Sequence, residues 1–130
     1  MKNPFTNLSW KELKKEYKTF FKWELGRKNT QYSRMTLICN PFLIPWHVLI
    51  LKFPEGSHIP SHKDPMKGRR HWRLNIIVKS AKEGGEFVCE NSIIQSRFLN
   101  FFRSDLYEHS VNKVNQGTRY VLSIGWMLKA

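Results

Sequence analysis

The chain has 130 residues, of which 41% are hydrophobic and 14% aromatic, so it is long enough for one packed domain but not for several. Its formal charge of +12 favours an anionic partner such as nucleic acid, an acidic protein segment or a small carboxylate, and two cysteines are too few for a disulfide framework. No apolar run approaches the roughly 20 residues that span a bilayer and no secretory leader opens the chain, so we expect a cytoplasmic protein without a membrane segment.

The first predicted element is an amphipathic helix over residues 9–25. Ser9 and Glu12 have the spacing of a capping box, which marks a helix start, and Gly26 can end the helix. Apolar residues recur between them at three- and four-residue steps, at Trp10, Leu13, Tyr17, Phe20, Phe21 and Leu25. The pattern favours a helix that packs on a sheet and solvates its lysines, although a basic helix can also lie on nucleic acid or a membrane surface.

From about residue 35 to residue 128 the sequence is typical of short β-strands. Segments rich in Val, Ile, Leu and aromatic residues alternate with turn formers such as PEGS, KEGG and NQG. In chain order these segments are RMTLIC, WHVLILKF, HWRLNIIVK, GEFVCE, SRFLNFF, HSVNKV and RYVLSIGWML. With no second helical period, they indicate a β-sandwich or barrel-like roll. We therefore predict a single domain over residues 1–130, in which the helix packs on a compact β core.

His62 and Asp64 are the first candidate site residues. Residues two apart on an extended strand point to the same face, so this imidazole and carboxylate can converge on one metal ion. His109 opens a later strand-like segment and completes the two-histidine, one-carboxylate facial triad of non-haem iron(II) oxygenases, which leaves about three coordination positions open. His58 lies four residues before His62, but Pro60 between them excludes a helical pair, so His58 is expected in a loop.

Arg119 follows His109 by ten residues and shares one face of its predicted strand with Val121 and Ser123. If that face lines the same cavity as the metal, the guanidinium would bind a carboxylate through two charge-assisted hydrogen bonds. Ser123 would add a hydroxyl donor. A lone arginine in a strand more often faces solvent, and the residues alone leave that alternative open.

The chain resembles the iron(II)- and 2-oxoglutarate-dependent oxygenases, and most of all their prolyl-hydroxylase-like branch. The motifs that carry the resemblance are HKD at 62–64, GGEF at 84–87, HSV at 109–111 and GTRYVLSIGW at 117–126, in the family's order. The resemblance covers residues 47–128 and implies a double-stranded β-helix, or jelly roll. It implies that His62, Asp64 and His109 bind Fe(2+). It also implies that Arg119 pairs with the distal carboxylate of 2-oxoglutarate, with O2 as the second cosubstrate.

Further residues take their expected roles from the same resemblance. Asn75 is the candidate for an additional contact to 2-oxoglutarate, and Arg73 on the same strand face is expected to meet substrate or to be solvated. Gly84–Gly85 would form the turn before a strand. Gly125 stands where AlkB-type nucleic-acid demethylases usually carry a second arginine, which weakens a base-repair function.

The resemblance implies a hydroxylase whose substrate is a protein side chain or, as the second choice, a nucleic acid. Two alternatives compete with it. A cupin-type metal protein usually offers a His-x-His pair and a glutamate, whereas Asp64 stands in place of the second histidine. A non-catalytic basic module on the same fold would bind nucleic acid through the lysines of the helix and the cluster at residues 67–70. The intact ligand set favours the enzyme.

Overall fold

The computed structural model describes residues 22–26, 29–40, 44–65 and 67–129. These ranges contain strands and no helix long and apolar enough to cross a bilayer. The strands are β1 (Glu24–Leu25), β2 (Ser33–Asn40), β3 (Trp46–Phe53), β4 (Ile59–His62), β5 (Arg69–Lys79), β6 (Glu83–Gly84), β7 (Phe87–Cys89), β8 (Ile94–Gln95), β9 (Leu99–Arg103), β10 (His109–Val111), β11 (Val114–Gln116) and β12 (Arg119–Lys129). The prediction of a mainly β fold is confirmed.

The described strands form three antiparallel sheets. The largest has seven strands in the order β1-β2-β3-β12-β5-β9-β8. A three-stranded sheet has the order β4-β10-β7, and β11 pairs with β6 in a two-stranded sheet. The last strand, β12, therefore lies between β3 and β5, so the chain crosses between sheets repeatedly, as in a jelly roll.

Strand β12 has the cleanest alternation of buried and partly exposed residues. Its odd-numbered residues from Arg119 to Met127 are buried and the even-numbered residues between them are half-buried. Because successive side chains point to opposite faces of a sheet, the odd-numbered residues share one inner face. Neighbouring strands extend this face in register, since Ser123 lies opposite Leu49 of β3 and Asn75 of β5.

An apolar core lies between the sheets. Its buried members come from the large sheet, the small sheets and a loop, and they are Tyr32, Phe53, Val111, Val114 and Val121. Tyr32 stacks on Phe53 with ring centroids 5.3 Å apart. Full burial of one such side chain contributes about 1.5–3 kcal/mol to stability, so this cluster holds the sheets together beside the polar cavity described below.

The predicted helix over residues 9–25 lies outside the described residues except at its end. There the prediction was wrong, because Glu24 and Leu25 form β1 and pair with Arg34 and Ser33 of β2. Leu25 is 77% exposed, so its spacing from the earlier apolar residues does not reflect burial. Backbone pairing with β2 satisfies the N–H and C=O groups that the final helical turn would otherwise use.

Candidate metal centre

His62, Asp64 and His109 converge at one end of the three-stranded sheet. His62 is the last residue of β4 and His109 the first of β10, and the register of these strands places them directly opposite each other. Asp64 Oδ2 lies 3.6 Å from His62 Nε2 and 3.4 Å from His109 Nε2. Two ligands about 2.1 Å from a metal, at a right angle, are about 3 Å apart. The three residues therefore could hold a divalent metal ion with little movement.

Backbone carbonyls orient both histidine rings. His62 Nδ1 lies 2.7 Å from the carbonyl oxygen of Pro60, and His109 Nδ1 lies 3.0 Å from that of Tyr107. A carbonyl oxygen can only accept, so each Nδ1 carries a hydrogen, and each Nε2 faces Asp64. Metal-bound histidines commonly have this arrangement, because the second nitrogen fixes the ring and its tautomer.

The charge and the position of Asp64 are both controlled by its neighbours. Burial alone would raise the pKa of its carboxyl group, but His109 and His62 hold that pKa well below its usual range. Asp64 is therefore ionised at neutral pH. Its backbone N–H donates to the carbonyl oxygen of Ser104 at 2.8 Å, which ties the loop after β4 to the loop after β9.

The metal ligands open on a cavity of about 100 Å³ between the seven-stranded and three-stranded sheets. Its described lining carries three guanidinium groups, those of Arg34, Arg73 and Arg119, against the single carboxylate of Asp64. The cavity is therefore suited to an anionic ligand.

Of the three arginines that line the cavity, Arg119 has the smallest exposed fraction, at 5%. Its guanidinium carbon lies 5.2 Å from the centroid of the Phe53 ring. Burial lowers the pKa of Arg119 to about 10, so the group stays charged at neutral pH. The sequence alone does not decide whether Arg119 faces solvent or the cavity; in the structure it lines the cavity. A carboxylate bound there would interact with Arg119 in low-dielectric surroundings.

Ser123 and Asn75 line the same cavity and form a hydrogen-bonded chain with Arg73. Arg73 Nη1 donates to Ser123 Oγ at 2.6 Å, and that hydroxyl donates to Asn75 Oδ1 at 2.7 Å. The hydroxyl hydrogen of Ser123 is thus already directed at Asn75. Contacts from Ser123 and Asn75 to 2-oxoglutarate stay predictions.

Two buried histidines complete the surroundings of Arg73. Its Nη2 lies 3.1 Å from His47 Nε2 and 3.2 Å from His71 Nε2. Arginine can only donate, so both Nε2 atoms accept and both rings are neutral. Burial lowers the pKa of His47 well below its ordinary value and that of His71 to about 3. Sequence reasoning missed these two residues, although each is a polar residue on the inward face of an alternating apolar strand.

The remaining candidates take simpler positions. His58 lies in the loop between β3 and β4, as predicted, and its backbone N–H donates to the Thr30 carbonyl oxygen at 3.0 Å. Gly84 and Gly85 have φ values of 76° and 67°, which disfavour other residues. A Cβ on Gly84 would also collide with the carbonyl oxygen of Lys113, so this pair does form a tight connection before β7.

Comparison with known proteins identifies the fold. No family model matches the sequence and no curated protein matches it, but solved structures do. The viral collagen prolyl hydroxylase of Paramecium bursaria Chlorella virus 1, in complex with 2OG, aligns with a TM-score of 0.59 and 14% identity over 79% of this chain and 81% of that one. The cupin domain of Schizosaccharomyces pombe Cnp3 aligns with a TM-score of 0.56 and 8% identity, over 79% and 66% of the two chains. The chain has a cupin-type jelly-roll fold.

A third solved structure, a Pseudomonas putida prolyl-4-hydroxylase, aligns with a TM-score of 0.52 and 17% identity over 66% of this chain and 52% of that one. The matched structures thus include hydroxylases as well as a protein described only as a cupin domain. At these identities the likeness establishes the fold, and an activity has to be argued from the site.

Proposed function

We propose that this chain is an iron(II)- and 2-oxoglutarate-dependent dioxygenase that hydroxylates a C–H bond. The observation that carries the proposal is a triad of two histidines and one carboxylate facing a cavity that also contains the buried Arg119. A two-histidine, one-carboxylate set with open positions suits iron(II) in oxygenases. With O2 and 2-oxoglutarate, iron(II) supplies the oxidation: one oxygen atom enters the substrate C–H bond, and 2-oxoglutarate becomes succinate and carbon dioxide.

His62, Asp64 and His109 would hold the ion. Asp64 is already ionised, and both histidines direct Nε2 towards its carboxylate, so the three ligand atoms already lie together. The carbonyl groups of Pro60 and Tyr107 keep the rings in the binding orientation.

Arg119 would bind the distal carboxylate of 2-oxoglutarate. Its guanidinium can give two parallel charge-assisted hydrogen bonds, and its burial beside Phe53 strengthens them by excluding water. Ser123 and Asn75 would add neutral polar contacts along the molecule. Val111 and Val121 form apolar walls that limit the access of water to the bound cosubstrate.

Exposed basic residues near the candidate metal site favour an anionic substrate. Lys63 and Lys67 flank Asp64 in sequence and are exposed, as is Arg70 at the start of β5. This positive charge suits an anionic substrate, either an acidic protein segment or a nucleic acid. The resemblance to prolyl hydroxylases puts hydroxylation of a protein side chain first and a nucleic acid second.

Succinate formation tests the proposal. Purified protein is incubated in air with 2-oxoglutarate, with and without iron(II), and succinate is quantified by mass spectrometry. We expect slow uncoupled succinate release that depends on iron(II) and stops when a chelator is added. Absence of both succinate release and 2-oxoglutarate binding in the iron-loaded protein would contradict the proposal.

The charge of +12 supports a second candidate, a non-catalytic module that binds nucleic acid. This candidate predicts an affinity for DNA or RNA that falls steeply with salt concentration, together with no turnover of 2-oxoglutarate. The succinate assay and a salt titration of nucleic-acid binding therefore separate the two candidates.

A further inference from the structure

The cavity contains a second guanidinium group whose partners are all neutral. Arg73 of β5 bonds to Ser123, His47 and His71, and none of these groups carries a charge at neutral pH. Among the described ion pairs, none joins Arg73 to a carboxylate within 4.0 Å. Burial lowers the pKa of Arg73, although the nearby charge of Asp64 opposes this shift. A guanidinium withdrawn from water without a directly paired anion is unfavourable.

The donor groups of Arg73 are only partly used. A guanidinium side chain has five N–H donors, and the three hydrogen bonds of Arg73 leave two of them for a ligand. The bonds to Ser123 and the two histidines also fix the direction of the guanidinium plane. Arg73 is therefore preorganised to receive an anion from the cavity that it lines.

The net charge of the site with a metal ion and 2-oxoglutarate bound also favours a further anion. Outside the cavity, Glu24 lies 3.9 Å from Arg34 and offsets its charge. The charges that remain in the cavity lining are those of Arg73, Arg119 and Asp64. A divalent ion would add two positive charges and 2-oxoglutarate two negative charges. One positive charge then stays without a counterion, and Asp64 is engaged by the metal. The site thus favours one additional anionic group.

The volume of the cavity limits the size of the ligand that carries this anionic group. At about 100 Å³, the cavity is small, and 2-oxoglutarate would occupy much of it. The unused donors of Arg73, one hydrogen on Nη1 and one on Nε, can each bond to an anionic oxygen. A carboxylate group is smaller than a phosphate group and fits the remaining space better. The additional ligand is therefore a small carboxylate-bearing group.

We propose that Arg73 binds a carboxylate of the primary substrate, next to the metal centre. The substrate is then an acid, either free or as the aspartate or glutamate side chain of a peptide, and the hydroxylated C–H bond lies close to that carboxylate. This inference rests on the proposed function. It assigns Arg73 to the substrate and leaves Arg119 to the cosubstrate.

Trifluoroacetate is a suitable probe, because ¹⁹F NMR detects weak carboxylate binding. The protein is loaded with Mn(2+), which also broadens the resonance of a probe bound near the metal, and saturated with 2-oxoglutarate. We expect the probe to bind the wild-type complex. Arg73→Gln should weaken the probe about tenfold or more, as expected for loss of a charged hydrogen bond, and change 2-oxoglutarate affinity by less than about threefold.

Arg97→Gln is the matched control, since it removes the same charged group from an exposed position outside the site. It should leave the affinities for probe and 2-oxoglutarate unchanged. If Arg73→Gln fails to fold, Arg73→Lys replaces it: this variant keeps the charge but loses the planar fork, and it should weaken probe binding measurably. Competition of N-acetylaspartate and of an aspartate-containing peptide with the probe separates a free acid from a side chain.

Equal probe affinity in wild-type protein and Arg73→Gln would overturn the inference. So would a tenfold loss of 2-oxoglutarate affinity in Arg73→Gln, because Arg73 would then serve the cosubstrate. Failure of the proposed function has a different signature, namely wild-type protein that binds Mn(2+) without binding 2-oxoglutarate. In that case the same probe titration without 2-oxoglutarate still decides whether Arg73 binds a carboxylate.

Discussion

The two sheets that enclose the cavity contribute different chemistry. The three-stranded sheet supplies the metal ligands from short strands, with His62 at the end of a four-residue strand and His109 at the start of a three-residue strand. The seven-stranded sheet supplies Arg73 and Arg119 from eleven-residue strands. Electron-pair donors therefore face cations across one space, which is the arrangement required to hold a metal ion and an organic acid together.

The difference also concerns how each group is held in place. The rings of His62 and His109 are oriented by carbonyl groups two residues away in sequence. Arg73 is oriented by His71, also two residues away, but in addition by Ser123 and His47, which lie 50 and 26 residues away. Local contacts suffice for the metal ligands. The cation positions depend on the register of several long strands, so changes in that sheet should affect stability and ligand binding together.

The largest expected effect is on the metal side. Asp64→Ala should lower the affinity for Mn(2+) more than about 100-fold, since even the loss of groups that only support a metal ligand costs about 10–100-fold. Isothermal titration calorimetry with Mn(2+) measures this. Glu108→Ala is the control, because it removes an exposed carboxylate next to His109 in sequence and should have little effect. Unchanged Mn(2+) affinity in Asp64→Ala would exclude the triad as the metal site.

On the seven-stranded sheet, Arg119→Gln should lower the affinity for 2-oxoglutarate only. We expect about a 100-fold loss of 2-oxoglutarate affinity, because two charged hydrogen bonds of about 1.5–3 kcal/mol each are weakened, while Mn(2+) affinity is retained. Calorimetry of the Mn(2+)-loaded protein measures both. Arg97→Gln removes an exposed arginine and serves as the control. A variant that still binds 2-oxoglutarate as tightly as wild type would remove Arg119 from the site.

Much of the fold is predictable from local alternation. The segments WHVLILKF and HWRLNIIVK became β3 and the main part of β5, because apolar and aromatic residues recur along both. In β5 the buried positions carry the polar residues His71 and Asn75, whereas the alternate apolar residues are half-buried. Strand β4 was missed because it contains Pro60, and the two-residue strands carry no pattern at all. The spacing of apolar residues extends the predicted helix to Leu25, but Leu25 pairs with β2 and forms a strand instead.

Prediction of the site has a similar limit. Spacing and motif order identified the three metal-binding candidates and Arg119, since each belongs to a short recognisable motif. Alternation shows that His47 and Arg73 each occupy one face of a strand, but it cannot show that they are neighbours. Both lie opposite Gly125 of β12, and that register emerges only when the sheet forms. The absence of a side chain at Gly125 is what lets the two meet.

Gly125→Ala tests this register dependence without changing any charge. A Cβ at residue 125 would lie 2.7 Å from His47 Nε2 and 3.2 Å from Arg73 Nη2, so both side chains must move. We expect a loss of about 2 kcal/mol in the free energy of unfolding, measured by urea denaturation. In a His47→Ala background the same substitution should cost clearly less, because the nearest atom is gone. Equal costs in the two backgrounds would show that His47 does not limit the space.

The smallest effect concerns the neutrality of the histidines that accept from Arg73. The pKa of His71 is about 3 in the folded protein and about 6.5 in the unfolded chain, so only the unfolded state gains a proton as the pH falls from 7 to 6. Stability must therefore decrease over this interval, by about 0.7 kcal/mol from His71 alone.

His71→Gln keeps an acceptor for Arg73 but cannot titrate. Urea denaturation of metal-free protein at pH 7 and pH 6 should accordingly show a pH-dependent loss about 0.7 kcal/mol smaller in this variant than in wild type. The same loss in both proteins would mean that His71 takes up a proton in the folded state. Arg73 would then lack one of its neutral acceptors, and the inner face of the large sheet would be less preorganised for an anion than its geometry indicates.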